Sequence, residues 1–125
     1  MARILVVDDD PNVLDFMCTS LDRAGHQVVR VDDARQVSRL HEERPVDLII
    51  TDLFMPERDG LQTIMEMRER FPGLPIIAVS GGGSNGGNVA SEMLEVASRF
   101  GAQVLEKPFG STRLRMVVDD VLAPQ

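Results

Sequence analysis

Residues 3–11, RILVVDDDP, decide the fold class, because they join a short apolar run to an acidic turn and then to a helix start. A run of this kind is typical of a parallel strand that is buried on both faces. Asp10 can cap the first turn of a helix, and Pro11 fits the first helical position. The stretch therefore predicts a strand, a tight turn and a helix in that order.

The same alternation continues along the chain, where Val- and Ile-rich runs are followed by segments with apolar residues at intervals of three and four. It predicts an α/β fold, a doubly wound (βα)5 domain with helices on both faces of a parallel sheet. The predicted strands are Arg3–Val7, Gln27–Val31, Val46–Thr51, Pro75–Ser80 and Gln103–Glu106. The predicted helices start at Asp10-Pro11 and then span Ala34–Glu43, Leu61–Phe71, Asn88–Phe100 and Ser111–Leu122. Their inward faces are predicted to carry Leu14, Met17, Cys18, Leu21, Val37, Leu40, Ile64, Met65, Met67, Val89, Met93, Val96, Ala97, Leu114, Val117, Val118 and Val121.

Length and composition limit the classes of protein to which this chain can belong. A chain of 125 residues with 43% apolar residues is long enough for one core, so residues 1–125 are expected to form a single domain. Its net charge of −7 argues against a nucleic-acid or anionic membrane partner. The apolar runs are too short to cross a bilayer, and no signal peptide is recognisable. A single cysteine suits a reducing compartment, so we expect a cytoplasmic protein.

Polar residues stand where the predicted strands end, and parallel strands bring such ends to one edge of a sheet. Strand one is followed by residues 8–10, all aspartate, strand three by Asp52 and strand five by Lys107, while strand four ends in Ser80. Clustered carboxylates need a cation, and their oxygens suit Mg²⁺. The lysine and the hydroxyl would face a tetrahedral anion. Because aspartate can act as a phosphoryl nucleophile, the set predicts acyl-phosphate chemistry.

Each of these residues also has a purely structural interpretation. The acidic triplet could be only a turn with a helix cap, and for Asp10 we favour the cap. Asp52 could be a solvated strand end, and Ser80 a turn residue. Lys107 is the only lysine beside twelve arginines, which favours a site for a slender point charge, although one lysine can arise by chance. The glycine-rich residues 80–88 lack the Gly-Lys-Ser/Thr of a P-loop, so we interpret them as a loop that can rearrange, with a plain mobile loop as the alternative.

Four strings carry a resemblance to a known family. They are VVDDD at residues 6–10, DLIITDLFMP at 47–56 followed by Asp59-Gly60, AVSG at 78–81 and LEKPF at 105–109. In this order, at the ends of successive predicted strands, they resemble the receiver domain of bacterial two-component response regulators. The resemblance covers essentially the whole chain. It implies the flavodoxin-like strand order 2-1-3-4-5.

The resemblance implies a role for each residue of the constellation. Asp52 would accept a phosphoryl group from a histidine kinase or a histidine phosphotransfer protein, and the domain would have no enzymatic activity beyond loss of its own phosphoryl group. The metal would be Mg²⁺, and no other cofactor is implied. Lys107 would pair with the phosphoryl oxygens, and Ser80 would move inward to bond one of them. The metal ligands implied are Asp8, Asp9, Asp52 and the backbone carbonyl of Phe54.

The movement of Ser80 would alter the face formed by the fourth helix, the fifth strand and the fifth helix. That face would carry the signal to an effector protein and is a candidate for a phosphorylation-linked dimer. The kinase would dock near the first helix and residues 108–110. We interpret the chain as a stand-alone receiver, with an excised domain of a longer regulator as the alternative.

Two positions depart from the family pattern. Val104 stands where many receivers carry the aromatic residue that moves with the hydroxyl, and this favours a second interpretation, a phosphorylation-independent interaction module of the same fold. Phe54 overlooks the site and is interpreted as restricting water, which would lengthen the life of the acyl phosphate; ordinary packing is the alternative. A third interpretation, a Mg²⁺-dependent phosphohydrolase, ranks last, because Phe54 occupies the place of the expected general acid.

Overall fold

Five strands form the centre of the molecule, and their bounds follow the Val- and Ile-rich runs closely. The computed structural model describes residues 1–53, 60–81 and 95–123. The strands are β1 Arg3–Val7, β2 Gln27–Val31, β3 Leu48–Asp52, β4 Ile76–Gly81 and β5 Gln103–Lys107. All pairings are parallel, in the order β2-β1-β3-β4-β5, so the predicted fold and strand order are confirmed.

The helices connect these strands as predicted. They are α1 Pro11–Arg23, α2 Val37–Glu43, α3 Gly60–Arg70 and α5 Ser111–Leu122, and the helical residues 95–99 are called α4. The second helix differs from the prediction, because Ala34–Gln36 form a 3₁₀ turn before α2 begins. The first part of the predicted fourth helix lies outside the described residues. None of the described helices has the length and apolarity that crossing a membrane requires.

Three strands extend one residue beyond their predicted ends, and this places the site. β3 ends at Asp52 rather than Thr51, β4 at Gly81 rather than Ser80, and β5 at Lys107 rather than Glu106. The ladder hydrogen bonds thus include Asp52 and Lys107, which the polar character of these residues had placed outside the strands. Two candidate site residues are therefore held by the rigid sheet itself.

The apolar side chains of the strands divide between the two faces of the sheet. In β1, Leu5 and Val7 join the core beneath α2 and α3, whereas Ile4 and Val6 join the core beneath α1 and α5. Most of the predicted inward residues are buried, among them Cys18, whose thiol pKa is raised by burial. Those that are only partly buried are Leu40, Val96 and Val121, while Val89 and Met93 lie outside the described residues.

One inward prediction is wrong. Met65 is 44% exposed, whereas Ile64 and Met67 are completely buried. The buried stripe of α3 begins at Gly60 and continues through Thr63, Ile64 and Met67. Since each helical residue turns by about 100°, the residue after Ile64 is carried off that stripe and toward solvent.

His41 is a buried polar residue with a structural role. Its side chain is 8% exposed, its Nδ1 accepts a hydrogen bond of 3.0 Å from the backbone N–H of Val46, and its ring packs edge-on against Phe71 at 4.5 Å. Burial lowers its pKa. The neutral ring therefore joins α2 to the segment that leads into β3.

Acidification is expected to weaken this junction, because a ring protonated at Nδ1 cannot accept the Val46 bond. The stability that the lowered pKa contributes is fully present when the pH is above the unfolded-state pKa of about 6.5. It is lost as the pH falls through the lower folded-state pKa of His41. Urea unfolding from about pH 8 to about pH 5 should show a steeper loss for the wild type than for His41→Gln. His26→Gln, which removes the other histidine, is the control, and equal pH slopes for wild type and His41→Gln would contradict the prediction.

Candidate functional site

The candidate site lies at the carboxyl edge of the sheet, around the point where the strand order reverses. Asp8 follows β1, Asp52 ends β3, Ser80 lies in β4 and Lys107 ends β5. Because β1 and β3 are neighbours and their connections leave to opposite faces, a crevice forms outside their carboxyl ends. The topology therefore brings together residues that are up to 99 positions apart in the chain.

Three carboxylates form the acidic part of the site. Asp8 is completely buried, Asp52 is 5% exposed and Asp9 is exposed. One carboxylate oxygen from each can be chosen so that all three lie within 4.8 Å of one another. Asp8 is fixed in place because its Oδ1 accepts a 2.9 Å hydrogen bond from the backbone N–H of Asp10. The arrangement offers three hard oxygen ligands on a rigid base, which suits a divalent cation such as Mg²⁺.

Asp10 stands apart from this cluster. Its Oδ1 accepts a 2.9 Å bond from the N–H of Asn12 and caps α1, which has Pro11 at its first position. The capping interpretation of Asp10 is thus confirmed. Of the three successive aspartates, two contribute to the acidic cluster and the third starts the helix that supports it.

Lys107 lies between the two buried carboxylates. Its Nζ is 3.2 Å from Asp8 Oδ2, to which it donates a hydrogen bond, and 3.5 Å from Asp52 Oδ2. Burial by itself would lower the pKa of Lys107, but the charges of Asp52 and Asp8 and the bonds to them outweigh burial and raise it above its usual value. The side chain therefore stays a cation. The Lys107–Pro108 peptide bond that follows it is cis.

Ser80 is completely buried in β4, and its Oγ has no hydrogen-bond partner within the described part of the chain. An unsatisfied buried hydroxyl is costly, so such groups in folded proteins call for an explanation. Its place in the sheet is fixed by the β4–β5 register, which pairs Ser80 with Glu106 and Gly81 with Lys107. The hydroxyl therefore sits one register position from the lysine of the site.

The cluster reaches solvent on the side of Asp9. An open cavity of about 350 Å³ lies between the start of α1 and the end of β2, and its lining includes Asp8, Asp9, Arg30 and Asp32. The exposed Arg30 forms an ion pair with Asp15. This cavity gives a small ion a route from solvent to the acidic cluster.

Some positions considered from the sequence lie outside the described residues or do not join the acidic cluster. Phe54 and residues 82–88 of the glycine-rich segment lie outside the described residues. His26 and His41 each accept a hydrogen bond from a backbone N–H, from Ala2 and Val46, and neither joins the acidic cluster.

Two residues in contact with the backbone of Asp52 were not predicted as functional. They are Thr51, whose hydroxyl donates to the carbonyl of Asp52, and Gly60, which packs against the same carbonyl. A threonine beside an aspartate carries no sequence signal. The glycine belongs to one of the four strings, but its contact is created only when α3 folds back onto the end of β3.

The comparisons with known proteins agree with this geometry. A family profile described as "Response regulator receiver domain" matches residues 4–119. The chain is 35% identical over 121 residues to the transcriptional regulatory protein GlrR of Escherichia coli (strain K12), a match that covers 97% of this chain and 26% of GlrR. It is 33% identical to the response regulator receiver protein CpdR of Brucella abortus (strain 2308), with 97% and 94% covered. The chain thus spans about a quarter of GlrR and nearly all of CpdR.

Two solved structures are similar over nearly the whole chain. The receiver domain of NtrX from Brucella abortus superposes with a TM-score of 0.87 at 30% identity, covering 98% of this chain and 99% of that one. The chemotaxis protein CheY4 of Vibrio cholerae superposes with a TM-score of 0.85 at 26% identity, covering 98% and 99%.

Removal of the lysine charge tests the electrostatics of the site. Lys107→Met leaves two buried carboxylates without their cation, so the free energy of unfolding at neutral pH is expected to fall by about 2–4 kcal/mol. Urea unfolding at neutral pH measures the loss.

Arg39→Met is the matched control, because it removes an equal charge from an ion pair with Glu43 in which both side chains are 59% exposed. Such a pair contributes less than about 1 kcal/mol. A similar small loss for both variants would show that the carboxylates of Asp8 and Asp52 do not depend on Lys107.

Proposed function

The chain belongs to the family of response regulator receiver domains, and from that premise we propose that Asp52 accepts a phosphoryl group from the phosphohistidine of a histidine kinase or a phosphotransfer protein. One observation carries the proposal. The carboxylate of Asp52 is 5% exposed at the end of a central strand, lies 3.5 Å from the ammonium of Lys107 and shares an acidic cluster with Asp8 and Asp9. A nucleophile, a fixed cation and oxygen ligands for a metal are the parts that phosphoryl transfer needs.

The transfer itself requires little covalent chemistry from the protein. An oxygen of the Asp52 carboxylate attacks the phosphorus, and an O–P bond forms while the N–P bond of the donor breaks. The histidine nitrogen keeps the bonding electrons and takes up a proton. The product is an acyl phosphate on Asp52. Its loss needs only water, which attacks the phosphorus and releases inorganic phosphate and the Asp52 carboxylate.

The charges of the site fit a divalent metal. Asp8, Asp9 and Asp52 bring three carboxylates close to the one ammonium of Lys107, so the cluster is rich in negative charge. We propose that these three residues hold Mg²⁺, together with the backbone carbonyl of Phe54, which the family pattern implies. The bound ion would neutralise charge on the phosphoryl oxygens during transfer. Lys107, held by Asp8, would pair with one of those oxygens.

The unpartnered hydroxyl of Ser80 supports a role in sensing the phosphoryl group. Its Oγ is buried and, among the described residues, has no hydrogen-bond partner, so a phosphoryl oxygen near Asp52 would supply the missing acceptor. We propose that forming this bond draws Ser80 inward and alters the face of α4, β5 and α5. Val104, partly buried in β5 opposite Ala78, occupies the position of the usual aromatic switch.

We propose that the donor kinase docks on the edge formed by α1 and residues 108–110. Phe16 on α1 is 39% exposed, and its ring centroid lies 6.1 Å from that of Phe109. Phe109 follows Lys107 by two residues, so a partner that contacts this aromatic pair stands close to the acidic cluster. The exposed Phe16 ring and the half-buried Phe109 ring give the partner an apolar anchor beside an otherwise acidic site.

The matches with CpdR and GlrR support a proposal for how the domain passes on its signal. We propose that the chain works as a stand-alone receiver in the cytoplasm, and the match with nearly all of the receiver protein CpdR supports this. It would pass its signal to an effector protein through the face of α4, β5 and α5, with dimerisation of that face as one outcome of phosphorylation. The longer GlrR supports the alternative, a domain attached to an output domain.

The proposal predicts one phosphoryl adduct in the intact mass of the wild type after incubation with acetyl phosphate and Mg²⁺. Asp52→Asn should show no adduct because it lacks the nucleophile, and EDTA should abolish the adduct on the wild type. Mass is a suitable readout because the chain has no Trp or Tyr to report by fluorescence. A folded wild type that binds Mg²⁺ but takes up no phosphoryl group from any donor would favour the phosphorylation-independent interaction module.

A further inference from the structure

Asp52 is paired with a neighbouring strand on one side only. The ladder between β1 and β3 ends at the pair Val7–Thr51, whereas the ladder between β3 and β4 continues to Asp52–Val79. No residue of β1 therefore lies in register with Asp52. The contacts of the peptide unit that follows Asp52 add to those that fix the position of its carboxylate.

The peptide unit that follows Asp52 is held at both of its polar atoms. The N–H of Leu53 donates a 2.9 Å bond to the carbonyl of Val79 in β4. The carbonyl oxygen of Asp52 accepts a 3.1 Å bond from the hydroxyl of Thr51, which is completely buried. The Thr51 side chain thus supplies a bond to the last residue of β3 at the point where the ladder to β1 has ended.

Gly60 closes the other side of this peptide unit. A Cβ at residue 60 would overlap the carbonyl oxygen of Asp52 and lie 2.7 Å from Leu53 Cα. The N–H of Gly60 also donates a 3.0 Å bond to the carbonyl of Leu53. The start of α3 therefore packs directly on the backbone that carries the phosphoacceptor, and only glycine leaves room for it.

We propose that Thr51 is a positioning residue for Asp52, in an inference that rests on the proposed phosphoacceptor role. The hydroxyl of Thr51 holds the carbonyl of Asp52 and so keeps that residue in strand geometry, with its carboxylate beside Lys107 and Asp8. Phosphoryl transfer depends on positioning, and a displacement of about 1 Å at a reacting group can slow a reaction by about a hundredfold. Loss of the hydroxyl therefore acts on the site through the backbone of Asp52.

The chain offers a matched control for this hydroxyl. Thr63 in α3 is also buried, at 1% exposed, but in the described structure its Oγ1 has no hydrogen-bond partner. Thr51→Val and Thr63→Val make the same change, from a hydroxyl to a methyl group of similar size. Only the change at residue 51 removes a hydrogen bond. Thr51→Ser keeps the hydroxyl and is the conservative rescue.

The test measures two properties of the full chain, the Mg²⁺ dissociation constant by calorimetry and the rate of phosphoryl uptake from acetyl phosphate by intact mass. We expect Thr51→Val to take up phosphoryl about tenfold more slowly than the wild type and to bind Mg²⁺ more weakly. Thr51→Ser and Thr63→Val should stay within about twofold of the wild type in both properties. Thr51→Ala removes the same hydroxyl and replaces Thr51→Val if that variant does not fold.

The inference is overturned if Thr51→Val matches Thr63→Val in uptake rate and in Mg²⁺ affinity. It is also overturned if Thr51→Ser is as slow as Thr51→Val, because packing would then explain the loss. If the wild type takes up no phosphoryl group, the proposed function fails and the Mg²⁺ constants alone decide the inference. Weaker binding by Thr51→Val alone would then uphold it, and equal constants would overturn it.

Discussion

The carboxylates of Asp8 and Asp52 are buried next to each other at the edge of the sheet, and a buried negative charge is stable only with a partner. Lys107 provides that partner, since its ammonium lies 3.2 Å from one carboxylate and 3.5 Å from the other. The rest of the site depends on this balance. One cation shared by two buried carboxylates holds them together but leaves an excess of negative charge, to which Asp9 adds. An excess of this kind suits a divalent cation.

The parallel sheet holds these charged residues in fixed positions. β1 and β3 are anchored by apolar residues on both faces, and β5 is anchored on one face by Leu105, so the backbone that carries Asp8, Asp52 and Lys107 is held in place by the core. Ser80 lies in β4, between the strands that end in Asp52 and Lys107. A phosphoryl group on Asp52 would therefore meet a cation, metal ligands and a hydroxyl donor without large movement of the sheet.

Most of the architecture was predictable from the sequence because it depends on local patterns. The strands are uninterrupted apolar runs, α1 begins with an aspartate cap and a proline, and the acidic cluster follows from where the strands end. Part of what was missed depends on contacts between elements. The inward face of α3 was misassigned at Met65, since the choice between adjacent residues depends on how the helix packs on the sheet. The bond from Thr51 to the carbonyl of Asp52 lies within β3, and no spacing in the sequence encodes it.

The central claim is that Asp52, among the three clustered carboxylates, is the nucleophile. Borohydride reduces an acyl phosphate to an alcohol, so peptide mapping of the phosphorylated and reduced protein identifies the residue that carried the phosphoryl group. The account predicts conversion at Asp52 with Asp8 and Asp9 unmodified, since the latter two are proposed to act as metal ligands. Conversion at Asp8 or Asp9, with Asp52 intact, would contradict it.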